Sequence, residues 1–146
     1  SAIKQVEKHF SYFSSYFKEA LRSSCNAFYL NTLILESGNS VAEHTDCSIC
    51  SYDMIYTTPQ LVSVFYVDIP DDLQGGELVI KVKNEELQIK PKINTLVFFL
   101  GNLSHKVNQV KSSQSRISLV CEQYTLNAER LQSIPEFEIK SGVYRD

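Results

Sequence analysis

The chain has 146 residues, a length typical of one domain and too short for two. Its 43% hydrophobic content includes no apolar run of about 18 residues, which argues against a transmembrane helix. The net charge is -3, and no block of like charges provides the clustered Lys and Arg of a nucleic-acid-binding protein. We therefore expect neither a membrane nor a nucleic acid as partner.

The N-terminal region has the pattern of an amphipathic helix over residues 2–22. Apolar residues recur there at steps of three or four, and neither Gly nor Pro interrupts them. An aromatic stripe of this kind usually serves packing, so we expect the helix to buttress a sheet. The apolar positions are Ile3, Val6, Phe10, Phe13, Phe17, Ala20 and Leu21.

About eight short strands are predicted after this helix. The segment 61–69 is apolar on both faces, which is typical of a central strand. Short strands at regular spacing indicate a sandwich or barrel, and a jelly roll would bring the second and penultimate strands together across its mouth. We therefore predict a mainly β fold with an N-terminal helix. The predicted strands are 27–35, 41–46, 61–69, 77–82, 87–90, 95–100, 107–110 and 116–124.

Two histidines and one aspartate are candidate metal ligands. Side chains alternate between the faces of an extended strand, so His44 and Asp46 project from the same side. His105 lies far enough along the chain for intervening strands to cross and return. Two imidazoles and one carboxylate with open positions beside them form the ligand set of non-haem Fe(II) oxygenases. Taken singly, His44 is better explained as a surface or core histidine than as a ligand, and Asp46 is explained as a turn or strand-end carboxylate.

A lone arginine in the last apolar strand suggests an anion site. Arg116 and Ser118 share one face of that strand, because they are two positions apart. Burying a guanidinium group is expensive unless an anion meets it, and arginine binds planar carboxylates with two parallel hydrogen bonds. The alternative is that Arg116 lies at a sheet edge and points to water.

These anchors follow one another in a recognisable order. An apolar strand leads to His-x-Asp at 44–46, Gly-Gly-Glu-Leu follows at 75–78, Asn-Leu-Ser-His at 102–105, and Arg-Ile-Ser at 116–118. In this order the sequence resembles the 2-oxoglutarate/Fe(II)-dependent dioxygenases, most closely the prolyl 4-hydroxylase-like branch, over roughly residues 27–124. It departs from that branch at Val41, where an aromatic residue is frequent, and in having no Trp on the last strand.

The resemblance implies a fold and a domain organisation. The fold is a double-stranded β-helix, the cupin-like form of the jelly roll. We expect a single domain over residues 1–146, with the N-terminal helix at 2–22, the jelly-roll core at about 27–124 and a C-terminal tail at 125–146.

The resemblance also implies cofactors and roles for site residues. Fe(II) would be the metal, 2-oxoglutarate and O2 the cosubstrates, and ascorbate a candidate reductant. Arg116 would pair with the distal carboxylate of 2-oxoglutarate, Ser118 would be a second donor, and Tyr66 would lie against the cosubstrate. Tyr66 is equally well explained as a core residue. The implied metal ligands, which are also the catalytic residues, are His44, Asp46 and His105.

Four cysteines bear on the cellular compartment. Cys47 and Cys50 form an isolated C-x-x-C beside Asp46, without the second ligand pair that a zinc site would need. The chain opens on an amphipathic stretch instead of the apolar core of a signal peptide. We therefore expect reduced thiols in a cytoplasmic protein, a compartment that also suits Fe(II).

The function implied by the resemblance is hydroxylation of an unactivated C–H bond, with release of succinate and CO2. A peptide prolyl residue or a free amino acid is the first substrate class, and another small molecule is the second. The alternative from a different class is a cupin-like module that binds a metal or small molecule without turnover. A structural protein without metal is a third hypothesis. The sequence gives no indication of oligomeric state.

Overall fold

The computed structural model describes residues 1–140. Within them, two four-stranded antiparallel sheets face each other, and a two-stranded ribbon lies beside them. The major sheet contains, in spatial order, β1 (Ala27–Leu35), β10 (Arg116–Tyr124), β3 (Leu61–Asp68) and β7 (Leu96–Leu100). The minor sheet contains β2 (Val41–His44), β8 (His105–Val107), β5 (Leu78–Val82) and β6 (Glu85–Ile89). The ribbon pairs β4 (Gln74–Gly75) with β9 (Val110–Lys111).

The main hydrophobic core lies between the inward faces of the two sheets. Alternate residues of β3 are buried there, including Val62, Val64 and Tyr66, as their period of two requires. They meet Leu78 and Ile80 of β5 from the opposite sheet. This architecture is a double-stranded β-helix with helices at its N-terminus, which confirms the predicted fold class.

The N-terminal segment forms two helices instead of the single one predicted over 2–22. These are α1 (Ala2–His9) and α2 (Phe13–Ala20), separated by a tight turn in which the N–H of Phe13 donates to the carbonyl of Phe10. The turn leaves α2 free to follow the sheet, where Phe17 and Ala20 are buried. Gln123 of β10 fixes the end of α2, because its side-chain amide donates to the carbonyl of Ala20 at 2.8 Å.

Most predicted strands differ from the observed ones at one or both ends, and two of these differences change the arrangement of the chain. β2 ends at His44, so Asp46 lies two residues past the strand instead of within it. The predicted strand 107–110 is divided between β8 and β9, which belong to different sheets. The division occurs at Asn108, whose N–H donates to the carbonyl of Glu77 at 3.0 Å and turns the chain out of the minor sheet.

The segment between β2 and β3 contains a short helix, α3 (Cys50–Asp53). The expectation of reduced thiols is wrong for Cys47 and Cys50, which are joined as a disulfide, whereas Cys25 and Cys121 are free and buried. The tight turn between the bonded pair brings their Cα atoms to 5.7 Å, a separation that a disulfide spans.

The C-terminal part contains α4 (Ala128–Ser133). Asn127 caps it by accepting a hydrogen bond from the N–H of Arg130 at 2.9 Å. The predicted tail 125–146 extends beyond the described residues after position 140. No helix within residues 1–140 combines the length and apolarity needed to cross a membrane.

Candidate metal centre

Three predicted ligands lie together at the mouth of the β-helix. His44 is the last residue of β2 and pairs across the minor sheet with His105, the first residue of β8. The Nε2 atom of His44 is 3.0 Å from Asp46 Oδ1, and that of His105 is 3.4 Å from Asp46 Oδ2. One potential ligand atom from each residue lies within 4.8 Å of the other two. We call this group the metal end.

The backbone fixes the hydrogen positions of both imidazole rings. Nδ1 of His44 lies 2.7 Å from the carbonyl of Ala42, and Nδ1 of His105 lies 3.0 Å from the carbonyl of Leu103. A carbonyl oxygen only accepts, so each Nδ1 must carry the hydrogen and donate it. Each neutral ring then presents the lone pair of Nε2 to the Asp46 carboxylate, as in metal-binding histidines.

The carboxylate of Asp46 requires positive charge between it and the two rings. Lone pairs of Nε2 and of a carboxylate oxygen repel each other unless a proton or a cation lies between them. The carboxylate accordingly raises the pKa of His44, chiefly through their hydrogen bond. Asp46 Oδ2 is buried and has no hydrogen-bond partner among the described residues. Two nitrogens and one oxygen with open positions beside them therefore fit a divalent cation such as Fe(II).

A buried cation occupies the other part of the site. Arg116 is 1% exposed on β10, and its Nη1 donates to the hydroxyl of Ser118, itself 1% exposed, at 3.3 Å. The guanidinium group lies over the ring of Tyr66, with 5.1 Å from Cζ to the ring centroid. We call these three residues the anion end.

The anion end lacks a counterion among the described residues. No carboxylate of residues 1–140 forms an ion pair with Arg116, and its Nε has no hydrogen-bond partner there. Burial lowers the pKa of the guanidinium group, and the neighbouring hydroxyl of Tyr66, which is also buried, only partly offsets that effect. Because an unpaired buried cation is expensive, this environment fits an anion that arrives with the ligand.

One cavity joins the metal end to the anion end. Its volume is about 280 Å³, and its walls include all three candidate metal ligands as well as Arg116 and Ser118. Apolar residues between the two ends include Val64 and Leu78. Tyr66 is fully buried against the guanidinium group, outside that lining. The space thus accommodates a small dicarboxylate that spans from the metal to the arginine.

The comparisons with known proteins identify the family of this chain. The family model described as the 2OG-Fe(II) oxygenase superfamily matches residues 27–121, more than half of the sequence. The chain belongs to the 2OG-Fe(II) oxygenase superfamily. The family implies Fe(II), 2-oxoglutarate and O2 as cofactor and cosubstrates, and confirms the resemblance to prolyl 4-hydroxylase-like enzymes. No curated protein matches the sequence.

Solved structures of this superfamily share the fold at low sequence identity. A prolyl-4-hydroxylase from Pseudomonas putida is 19% identical, with a TM-score of 0.55 over 86% of this chain and 66% of its own. A prolyl hydroxylase from Trichoplax adhaerens, in complex with a hypoxia inducible factor oxygen degradation domain peptide fragment, is 17% identical, with a TM-score of 0.58 over 91% of this chain and 60% of its own. An oxidoreductase of the 2OG-Fe(II) oxygenase family from Burkholderia pseudomallei is 14% identical, with a TM-score of 0.56 over 86% of this chain and 55% of its own. The chain thus spans 55–66% of the length of these proteins.

The structure also places in the oxygenase cavity residues that the sequence analysis did not select. Glu122 lines the cavity and is 5% exposed, and Ser48 and Asn31 line it as well. Glu122 was detectable in principle, because the face that begins with Arg116 and Ser118 continues at every second position of β10. Ser48 and Asn31 gave no signal, because hydroxyl and amide side chains are common in loops and strands.

The segment between β2 and β3 contributes Ser48 to the cavity wall, and its later residues are bound to α4. Arg130 of α4 donates from Nε to Asp53 at 2.8 Å and from Nη2 to the carbonyl of Ile55 at 3.3 Å, and also bonds to Thr57. These contacts hold residues 53–57 against a neighbouring helix.

Proposed function

We propose that this oxygenase is a dioxygenase that hydroxylates an unactivated C–H bond and converts 2-oxoglutarate to succinate and CO2. The observation that carries the proposal is the single cavity with a cluster of cation ligands at one end and a buried, uncompensated arginine at the other. Such a pair of sites suits a cosubstrate that chelates a metal and carries a distant carboxylate. We further propose that residues 1–146 act as one domain.

The metal end has the role of binding the iron. His44 and His105 offer neutral Nε2 atoms, and Asp46 offers a carboxylate oxygen, so the site carries one negative charge toward a dication. When bound, Fe(II) would supply the redox chemistry that couples O2 activation to decarboxylation of 2-oxoglutarate. The protein contributes the fixed ring orientations and the open coordination positions.

The anion end has the role of binding and orienting the cosubstrate. The two Nη groups and Nε of Arg116 are donors, and the buried hydroxyl of Ser118 lies beside them. Tyr66 is buried against the guanidinium group and outside the cavity lining, so it would orient Arg116 toward the ligand. Exclusion of water strengthens each of these hydrogen bonds, because the local dielectric constant is low.

The substrate class proposed is a prolyl residue of a peptide or a free amino acid, with another small molecule as the next class. The support is the fold shared with prolyl hydroxylases, one of which was solved with a peptide fragment. The cavity opens on the side of His44, whose side chain is 39% exposed and the most accessible of the three ligands. A substrate chain could approach the metal there while the cosubstrate occupies the buried anion end.

The test is formation of succinate from 2-oxoglutarate by the purified chain, with Fe(II) added or withheld and ascorbate as a separate variable. Dependence on both Fe(II) and 2-oxoglutarate, including slow uncoupled turnover without substrate, would support the proposal. Mass spectrometry of candidate peptides and amino acids would then detect the gain of one oxygen atom. His9→Ala is the matched control for histidine substitutions, because His9 is exposed on α1.

The opposite result would identify a binding module. If the chain binds Fe(II) and 2-oxoglutarate but forms no succinate at any iron concentration, the metal site serves binding or sensing without turnover. If it binds neither, the assignment of both ends is wrong.

A further inference from the structure

The carboxylate of Glu122 lies beside the metal end and is bound by a loop. Its Oε1 accepts a hydrogen bond from the N–H of Ser48 at 3.1 Å and another from the hydroxyl of Tyr124 at 2.5 Å. Its Oε2 accepts a hydrogen bond from the Ser48 hydroxyl. Glu122 has no salt-bridge partner within residues 1–140, and only 5% of its surface is exposed to solvent. Three donors of the chain therefore converge on one buried acid.

The position of Ser48 connects this acid to the metal end. Ser48 is two residues beyond Asp46, in the segment that follows the end of β2. The ring of each histidine ligand is held by a backbone carbonyl, but the Asp46 carboxylate receives hydrogen bonds only from His44 among the described residues. Its location therefore depends on the path of residues 45–48, and the contact with Glu122 fixes the far end of that path.

We infer that Glu122 is a positioning residue for Asp46, which acts through Ser48 and holds the carboxylate in place for the metal. This inference rests on the proposed function, because it presupposes that Asp46 binds a metal. Under this inference, the last strand, β10, contributes side chains to both the anion end and the metal end. Arg116 holds one end of the cavity, and Glu122, six residues further along the same face of β10, holds the other.

Two rival roles predict different results. Glu122 could act only as a nearby negative charge that attracts a dication, in which case its hydrogen bonds to Ser48 are irrelevant to metal affinity. It could instead contact the substrate, in which case metal affinity would not depend on it. Both carboxylate oxygens of Glu122 already accept hydrogen bonds from the chain, which favours the positioning role over these two alternatives.

Three variants separate these roles. Glu122→Gln keeps the length of the side chain but removes its charge, whereas Glu122→Asp keeps the charge but withdraws it by one methylene from Ser48. Tyr124→Phe removes only the hydroxyl that donates to Glu122, so it is a milder variant should the other two fail to fold. The control is Gln123→Ala, because Gln123 is fully buried on the opposite face of β10 and bonds to the backbone of residues 20 and 22.

Calorimetry on the metal-free chain would measure the dissociation constant of Co(II). The visible absorption of bound Co(II) and the thermal unfolding of each metal-free variant would be recorded as well. Both Glu122 variants should bind Co(II) about tenfold more weakly than the unchanged chain, the lower part of the range for groups that orient metal ligands. Their visible spectra should change, because Asp46 shifts relative to the ion. Tyr124→Phe should weaken binding less, and Gln123→Ala should lower the unfolding temperature without changing affinity or spectrum.

The outcomes distinguish the inference from the function on which it rests. If the unchanged chain does not bind Co(II), the metal site itself is refuted. If it binds and Glu122→Asp binds equally well while Glu122→Gln is weaker, charge alone acts and the positioning role is overturned. The positioning role would also be overturned if both Glu122 variants kept the Co(II) affinity of the unchanged chain, or if Gln123→Ala lost as much Co(II) affinity as they did.

Discussion

The metal end and the anion end share one cavity but are built in opposite ways. The metal end lies where short strands of the minor sheet terminate, with His44 closing β2 and His105 opening β8. The anion end lies within the major sheet, where Arg116 and Ser118 belong to a nine-residue strand between two neighbours. One end depends on loops for its shape, and the other depends on the central sheet.

The two ends also differ in how their charges are compensated. At the metal end, a carboxylate lies between two imidazoles and raises the pKa of His44, chiefly through the hydrogen bond between them. At the anion end, a guanidinium group that retains its proton is buried with no carboxylate partner in the described chain. The metal end should therefore tolerate the absence of its ligand, whereas the anion end should be a source of instability until a ligand arrives. Substitutions at the two ends should then have different effects on stability.

The largest effect is expected from Asp46→Ala. Loss of the only carboxylate of the metal end should abolish Fe(II) binding and succinate formation, while the unfolding temperature changes little, because Asp46 lies outside the strands. Calorimetry with Fe(II) under anaerobic conditions and a thermal melt would measure both. His44→Ala should behave in the same way. Wild-type turnover by Asp46→Ala would refute the metal end.

The next largest effect is expected from Arg116→Met, which tests the anion end. Removing the partner of a buried carboxylate costs about 3–5 kcal/mol, so the 2-oxoglutarate concentration at half-saturation should rise roughly a hundredfold or more. The ligand-free chain should keep or gain stability, because an apolar side chain replaces an uncompensated cation. Urea unfolding and 2-oxoglutarate titration measure the two quantities. A large loss of stability without ligand would show that Arg116 is already compensated.

The contrast between the metal end and the anion end also explains how much of each could be predicted from the sequence. The limits of β1 and β10 were predicted correctly, because both are long runs rich in aromatic and branched apolar residues. The metal ligands were selected because two histidines and an aspartate form a recognisable ligand set. The position of Asp46 beyond the end of β2 was not predicted, because the limits of short strands depend on hydrogen bonds such as that from Asn108 to Glu77.

Other features could not be predicted because they depend on contacts between distant parts of the chain. The break between α1 and α2 contains no Gly or Pro, and α2 is fixed by Gln123 from the last strand. The part played by Glu122 becomes visible only when Ser48 and Tyr124 are seen against it. The disulfide between Cys47 and Cys50 requires a tight turn that the sequence alone does not specify.

A moderate effect is expected from Gly75→Ala, which disturbs the anion end from outside. Gly75 has φ +71°, and an added Cβ would lie 2.0 Å from the carbonyl oxygen of Gln109, the residue before β9. The next residue, Gly76, lies against the side chain of Arg116. Strain and clash together should lower the free energy of unfolding by about 2 kcal/mol or more. The 2-oxoglutarate requirement should rise while Co(II) affinity stays the same.

Gly38→Ala is the matched control for this substitution. Gly38 has φ +92° and nothing within 4 Å of an added Cβ, so it measures strain without a clash. The free energy of unfolding of Gly38→Ala should fall by about 1 kcal/mol. Equal losses in the two variants would show that the ribbon yields to the added methyl group, and a fall in Co(II) affinity would show that the two ends are not independent.

The smallest effect is expected from Ser118→Ala, which leaves the charge of the anion end intact. The hydroxyl of Ser118 accepts a hydrogen bond from Arg116 at 3.3 Å and is buried on the cavity wall, so its loss removes one polar contact from the cosubstrate site. A single hydrogen bond contributes about 1 kcal/mol, so half-saturation by 2-oxoglutarate should rise roughly fivefold. Ser63→Ala is the control, because Ser63 is also fully buried but belongs to β3, on the face opposite Tyr66. An equal rise of the half-saturating 2-oxoglutarate concentration in both variants would mean that the sheet has relaxed as a whole. An effect as large as that of Arg116→Met would mean that Ser118 orients the guanidinium group and does not merely add a donor.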